Sequence, residues 1–374
     1  MPASSNAIRS NIGQLLVIGF DGTEFSPGLR DLLSRIQPAG VILFARNIVN
    51  AQQTHQLLKD CQRAVEERLF TCVDLEGGRV DRFRAVTGPA PSAADVFATS
   101  DKRLFRRHGE LIGRICAALG FNVDFAPVLD LAFEASRKVM ASRAFSLNPQ
   151  EVVAYAREFL AGLRSAKIVG AGKHFPGLGE GNLDSHRELP LIHKPFKKLW
   201  EEDLVPYREM KRELSMVLVN HANYPHVTAD RLPASLSKKW ITDVLRRKIG
   251  YRGLIVSDDM EMGGVLQAAR IDEAAVGFIR AGGDLCLICH KREGIEQTFD
   301  AIVRECEQDR RFRERVADSA RRVAAFKRKS LLRRGPAASP SPERVSRLST
   351  QLWEFSERVR LSGLSRGVAA GAKA

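Results

Sequence analysis

Eight short apolar runs punctuate the chain, at Leu15–Phe20, Gly40–Phe44, Leu69–Asp74, Phe121–Asp130, Ile168–His174, Met216–Asn220, Leu254–Ser257 and Leu285–Cys289. They are apolar nearly throughout rather than at alternate positions. A strand of that kind is covered on both faces, as in parallel sheets flanked by helices. Amphipathic stretches with helical spacing lie between most of them, among them Thr54–Arg68, Arg103–Leu119, Pro149–Ser165 and Lys238–Ile249. Eight such alternations predict an α/β protein, a (β/α)8 TIM-type barrel. A doubly wound sheet around a nucleotide would need a glycine-rich turn from strand to helix. Glu76-Gly77-Gly78-Arg79 has no third glycine at the required offset, and Ala281-Gly282-Gly283-Asp284 precedes a strand instead of following one. A phosphate loop of the G-x-x-x-x-G-K-[ST] type is also missing.

The texture changes beyond Lys329. Gly335–Pro342 is rich in Pro, Ser and Ala and reads as a linker, and Val345–Leu361 has the spacing of one amphipathic helix. The expected organisation is therefore a barrel domain over 1–332 and a basic C-terminal arm over 333–374. The chain carries 58 Lys and Arg against 44 Asp and Glu, a formal charge of +14. Between Glu307 and Arg334, eleven basic residues face four acidic ones, so this stretch alone supplies seven of the fourteen excess charges. Helical apolar spacing at Val316, Ala320, Val323 and Phe326 marks it as a helix with a solvated basic face. Net charge alone does not make a nucleic-acid partner, and none is expected.

Six cysteines are too few for a disulfide scaffold in a chain of 374 residues. Cys286 and Cys289 form a C-x-x-C, but within an expected strand, where residues three apart point to opposite faces. The opening Met1-Pro2-Ala3-Ser4 lacks the basic and apolar regions of a secretory leader, and no run approaches the roughly 18 apolar residues of a membrane span. A cytoplasmic, reduced protein is expected.

In a barrel the chemistry belongs at the carboxyl ends of the strands. Polar residues collect there: Asp74, Glu76, Arg79 and Arg82 after the third run, Asp124 to Asp130 in the fourth, and Lys173, His174, Asp184 and His186 after the fifth. Asn220 and His221 follow the sixth, and Asp258 and Asp259 the seventh. Any one acid could be a helix cap, Asp259 above all; five successive clusters describe a polar pocket. After the fifth run, Gly177, Gly179 and Gly181 with Pro176 mark an irregular loop that carries Asp184 and His186 two residues apart. A carboxylate beside an imidazole fixes its tautomer and suits it to proton transfer near neutral pH. Metal ligation competes for His174, His186 and His221, but no H-E-x-x-H or similar spacing occurs, so neither metal nor cofactor is expected.

Lys173-His174-Phe175-Pro176-Gly177 with Asp184-Ser185-His186, and Val256-Ser257-Asp258-Asp259-Met260, resemble glycoside hydrolase family 3, in its single-domain bacterial β-N-acetylglucosaminidase branch. Asp74-Leu75-Glu76-Gly77-Gly78-Arg79 and Phe125 to Asp130 match as well, and the resemblance runs from about residue 12 to residue 330. It implies that Asp258 is the nucleophile of a retaining hydrolysis, His186 the general acid/base and Asp184 its partner. It further implies that Asp74, Arg82, Arg143, Lys173 and His174 hold the sugar. The carbohydrate would be a β-linked N-acetylglucosamine terminus, such as that of a peptidoglycan fragment. Two departures stand out: Arg143 sits in a loosely matching Ala141-Ser142-Arg143, and Leu178 replaces the histidine of many relatives. A glycoside phosphorylase and a sugar-binding protein without catalysis are the alternatives.

Overall fold

The computed structural model describes residues 5–181, 188–331 and 338–371. Asp184 and His186 therefore lie outside the described residues. Eight parallel strands form a closed barrel, each hydrogen-bonded to its sequence neighbours. They are β1 (Leu16–Ile18), β2 (Gly40–Ile42), β3 (Phe70–Val73), β4 (Val123–Asp124), β5 (Val169–Phe175), β6 (Met216–Val219), β7 (Leu254–Asp259) and β8 (Leu285–Ile288). The expected barrel is borne out. The fourth strand is much shorter than its apolar run, because Pro127 has no amide to donate to the ladder. Pairing resumes only as an isolated bridge from Val128 to Lys173.

Uniform hydrophobicity is explained by two packings. Alternate strand residues, including Ile42, Phe70, Phe125, Ala171, Leu218 and Leu287, pack together as one buried cluster inside the barrel. The intervening ones, such as Val41, Val73, Val217 and Ile288, join the larger layer beneath the helices. Each fully buried side chain of this kind stabilises the fold by about 1.5–3 kcal/mol. Cys286 belongs to the outer layer and Cys289 to the inner one, as the strand spacing requires.

The basic helix Arg310–Ser330 is more than a solvated face. It sends Val323 and, packed against it, Phe326 into the barrel-interior cluster, with Leu331 just beyond its end. Buried Lys327 donates to Gln14 Oε1 at 2.7 Å and lies over the Phe70 ring. Arg315 and Arg322 join Arg246 around the single buried carboxylate of Asp284. Part of the net positive charge is thus consumed in closing the barrel floor.

The last helix, Pro342–Gly371, lies against the helices Lys102–Leu119 and Ala93–Ala98. It buries Leu348, Leu352, Phe355 and Val359, and Phe355 stacks on His108 at 5.8 Å between ring centroids. No helix among the described residues is long and apolar enough to cross a membrane.

Candidate active site

Two irregularities in the ladders place the site. Between β5 and β6 the register moves from Gly172↔Val217 to Phe175↔Val219, three residues against two, so Lys173-His174 forms a bulge. Between β7 and β8 it moves from Val256↔Leu285 to Asp259↔Leu287, which puts a second bulge at Ser257-Asp258. A bulge breaks the strict in-and-out alternation and re-aims side chains. Both fall at the carboxyl ends of their strands, facing the barrel mouth.

Lys173 is the hub of the first half. Its ammonium donates to Asp74 Oδ1 at 2.8 Å and lies 2.6 Å from Glu76 Oε1. Arg143 binds the same Glu76 through two parallel bonds, Nε to Oε2 at 2.7 Å and Nη2 to Oε1 at 2.8 Å. Arg82 approaches Asp74 at 3.9 Å. Burial would raise the Asp74 and Glu76 carboxyls. The adjacent cations reverse it and hold both below the usual carboxylate range, Lys173 with Arg82 for Asp74, Arg143 with Lys173 for Glu76. The same pairing keeps buried Lys173 protonated, since Asp74 and Glu76 outweigh its desolvation.

His174 is fixed from both sides. Its Nδ1 lies 2.6 Å from Asp130 Oδ2 and its Nε2 3.2 Å from Arg143 Nη2. A guanidinium can only donate, so Nε2 is the acceptor and Nδ1–H donates to Asp130. The other Asp130 oxygen accepts the Leu178 amide at 2.7 Å, which anchors the start of the glycine-rich loop. Leu178, where the sequence departs from many relatives, turns its side chain into the core.

Asp258 and Asp259 behave differently. Asp258 Oδ1 accepts the Asp259 amide at 3.0 Å, and its carboxylate enters no ion pair with any described residue. Asp259 is tied down, accepting from the amides of Glu261 and Cys289 and lying 3.2 Å from His290 Nε2. Beneath them His221 uses both ring nitrogens, on Ser235 Oγ at 2.7 Å and on the Asp259 carbonyl at 3.0 Å. Burial lowers its pKa and keeps it neutral, so it fixes the backbone under Asp258. Phe44 links the halves across the mouth, stacked on His290 at 5.4 Å with the Arg82 guanidinium 5.4 Å from its ring centre.

The structure thus brings Asp74, Arg82, Arg143, Lys173 and His174 into one cluster, and Asp258 to the same mouth. Glu76 and Asp130 were not singled out from the sequence as sugar-site residues, yet they hold Arg143, Lys173 and His174 in place. Their only sequence signal was acidity at a strand end.

A closed parallel barrel whose mouth carries a carboxylate with no ion pair among the described residues, together with a network of paired acids and cations, is the framework of a barrel glycosidase. The family model described as the glycosyl hydrolase family 3 N terminal domain matches residues 7–326, and the chain belongs to that family. A beta-hexosaminidase of Idiomarina loihiensis is 33% identical over 290 residues, 76% of this chain and 87% of that one. A beta-hexosaminidase of Actinobacillus pleuropneumoniae is 31% identical over 352 residues, 91% and 99% of the two chains. Among solved structures, a family 3 beta-N-acetylglucosaminidase from Paenibacillus sp. superposes with a TM-score of 0.86 at 30% identity, covering 93% of this chain and 68% of that one.

Proposed function

We propose that the protein hydrolyses terminal, non-reducing β-linked N-acetylglucosamine with retention of configuration, acting in the cytoplasm on peptidoglycan fragments. The observation that carries this reading is the contrast at the mouth. Asp74, Glu76 and Asp130 on the Lys173 side are each bonded to a cation or to His174, and Asp124 is buried beneath them, whereas Asp258, at the mouth, is left unpaired among the described residues. An unpaired carboxylate can attack an anomeric carbon and stabilise the positive charge that develops there. The beta-hexosaminidase relatives support the same substrate class, and the six buried, unpaired cysteines suit a reducing compartment.

In the first step Asp258 bonds to C1 while the C1–O bond to the leaving group breaks, and His186 gives its proton to the departing oxygen. Water then attacks C1, His186 takes the water proton, and the ester bond breaks to return the Asp258 carboxylate. Asp184 orients His186. Asp74, Arg82, Arg143, Lys173 and His174 hold the hydroxyls and the acetamido group, and neither metal nor cofactor is needed.

Initial rates on an aryl β-N-acetylglucosaminide and the matching β-glucoside, with and without inorganic phosphate, test the proposal. The first should be strongly preferred, with N-acetylglucosamine as product in either buffer. Equal efficiency on both sugars refutes the specificity, and a glycosyl phosphate product would make the enzyme a phosphorylase.

A further inference from the structure

At the opposite end of the barrel from the catalytic mouth, a cavity of about 440 Å³ opens beneath β3, β4 and β5. It lies between those strand starts, the helix Ala51–Arg63 and the segment leading into the last helix. Four cations line it: Lys59, Arg68, Lys167 and Arg344. An adjoining groove adds Arg114 and Arg347. Neither is lined by a described aspartate or glutamate. Several surface arginines elsewhere are paired, as in Arg35 with Glu296, Arg106 with Glu158, Arg157 with Glu213 and Arg292 with Asp31. Here, among the described residues, only Arg114 is ion-paired, with Glu110 at 3.7 Å, although Glu343 lies near Arg347. The other five enter no ion pair with a described residue.

The floor of the cavity is already satisfied. Thr71 Oγ1 donates to the Gly120 carbonyl at 3.0 Å, and the Asn122 side chain both accepts the Thr71 amide and donates to the Leu69 carbonyl. Leu58, Phe121 and Ile168 supply an apolar wall. Unpaired cations beside an apolar wall recognise an anion with a ring or hydrocarbon body. The volume lies within the range of small-molecule sites, roughly 300–1,000 Å³. A concave site of that size suits a discrete molecule better than a flat surface.

We propose that this cavity is a second ligand site, distinct from the sugar pocket, which takes a phosphate-bearing small molecule with an apolar or aromatic body. The phosphate sits between Lys167 and Arg344, and the body lies on Phe121 and Ile168. Arg344 also belongs to the start of the last helix, so occupancy fastens that helix to the barrel.

Calorimetric titration of the full chain with phenyl phosphate, inorganic phosphate and phosphatidylglycerol vesicles tests this. Phenyl phosphate should bind saturably at one site, more tightly than inorganic phosphate and more weakly as salt rises. K167E with R344E should weaken it by about tenfold or more, since two charge-assisted contacts are lost. Hydrolysis of the aryl N-acetylglucosaminide should be unchanged in that variant, which confirms that it is folded. Unaltered binding in the double variant overturns the proposal. So does displacement by N-acetylglucosamine, which would place the phosphate in the sugar pocket, and so does binding confined to vesicles.

Discussion

Arg143 holds Glu76 in a two-pronged grip across 67 residues of sequence, and Lys173 shares the same carboxylate. Removing the acid leaves two buried cations facing one remaining partner, Asp74. Breaking such a pair from one side costs about 3–5 kcal/mol. E76A is therefore expected to lose several kcal/mol of stability in denaturant unfolding and about 100-fold or more in kcat/KM. R143K should be impaired as well, because lysine cannot reproduce the fork. The depressed folded-state pKa of Glu76 contributes stability that is present above its unfolded value and lost as pH falls below it. E76Q should accordingly flatten the acid side of the stability profile below about pH 4.3. An unchanged acid limb in E76Q would contradict this account of the pair.

The proposed Asp184/His186 pair is tested through leaving groups. H186A should slow a natural disaccharide far more than an activated aryl glycoside, whose departure needs little acid assistance. D184N should impair turnover while leaving product binding nearly intact. Near-normal disaccharide hydrolysis by H186A would make that histidine structural.

The last helix buries Leu348, Leu352, Phe355 and Val359 on the barrel's helical layer. We propose 1–332 as the catalytic unit and 333–374 as a strap over it. Truncation after Leu332 is expected to leave a folded, active barrel, since all eight strands and the proposed site precede that point. The lost burial, partly offset by the entropy regained, should lower Tm by roughly 5–10 °C. His108, on which Phe355 stacks, also lies 2.7 Å from the Tyr155 hydroxyl beside the Arg143 pocket, so a modest fall in kcat/KM should accompany it. Complete loss of folding would show the strap to be part of the core.

Lys327 sits in the barrel floor, where burial lowers its pKa to about 7. Its unfolded value is about 10.4. With the folded pKa depressed, its contribution is fully present above the unfolded value and is lost as pH falls through the folded one. K327M should therefore remove a rise in stability between about pH 7 and pH 10.4, and below pH 7 it should be the more stable protein by on the order of 1–3 kcal/mol. Parallel profiles for the two proteins would contradict this.

The strands were legible because the barrel interior and the helical layer demand apolar residues at successive positions, which leaves a continuous signal. Pro127 shortened β4 in a way the apolar run conceals. The bulges at Lys173-His174 and Ser257-Asp258 leave no trace in hydropathy, since they are register shifts against a neighbouring strand. Pairings were harder still: Lys173 meets Asp74 from 99 residues away and His174 meets Asp130 from 44. Residue type exposed these groups as polar ends of strands, while only the closed barrel shows which acid serves which cation. The basic helix misled in part, because charge counting cannot distinguish a solvated arginine from Arg315 and Arg322 directed at Asp284.

The most direct test of the central claim is to trap the glycosyl-enzyme. Incubation with an N-acetylglucosaminyl fluoride carrying fluorine at C5 slows both steps, and peptic mapping by mass spectrometry then locates the ester. The label is expected on Asp258, with D258A unlabelled and slowed by orders of magnitude yet as stable as the parent. A label on Asp259, or full turnover without any covalent species and with inversion at C1, would contradict it.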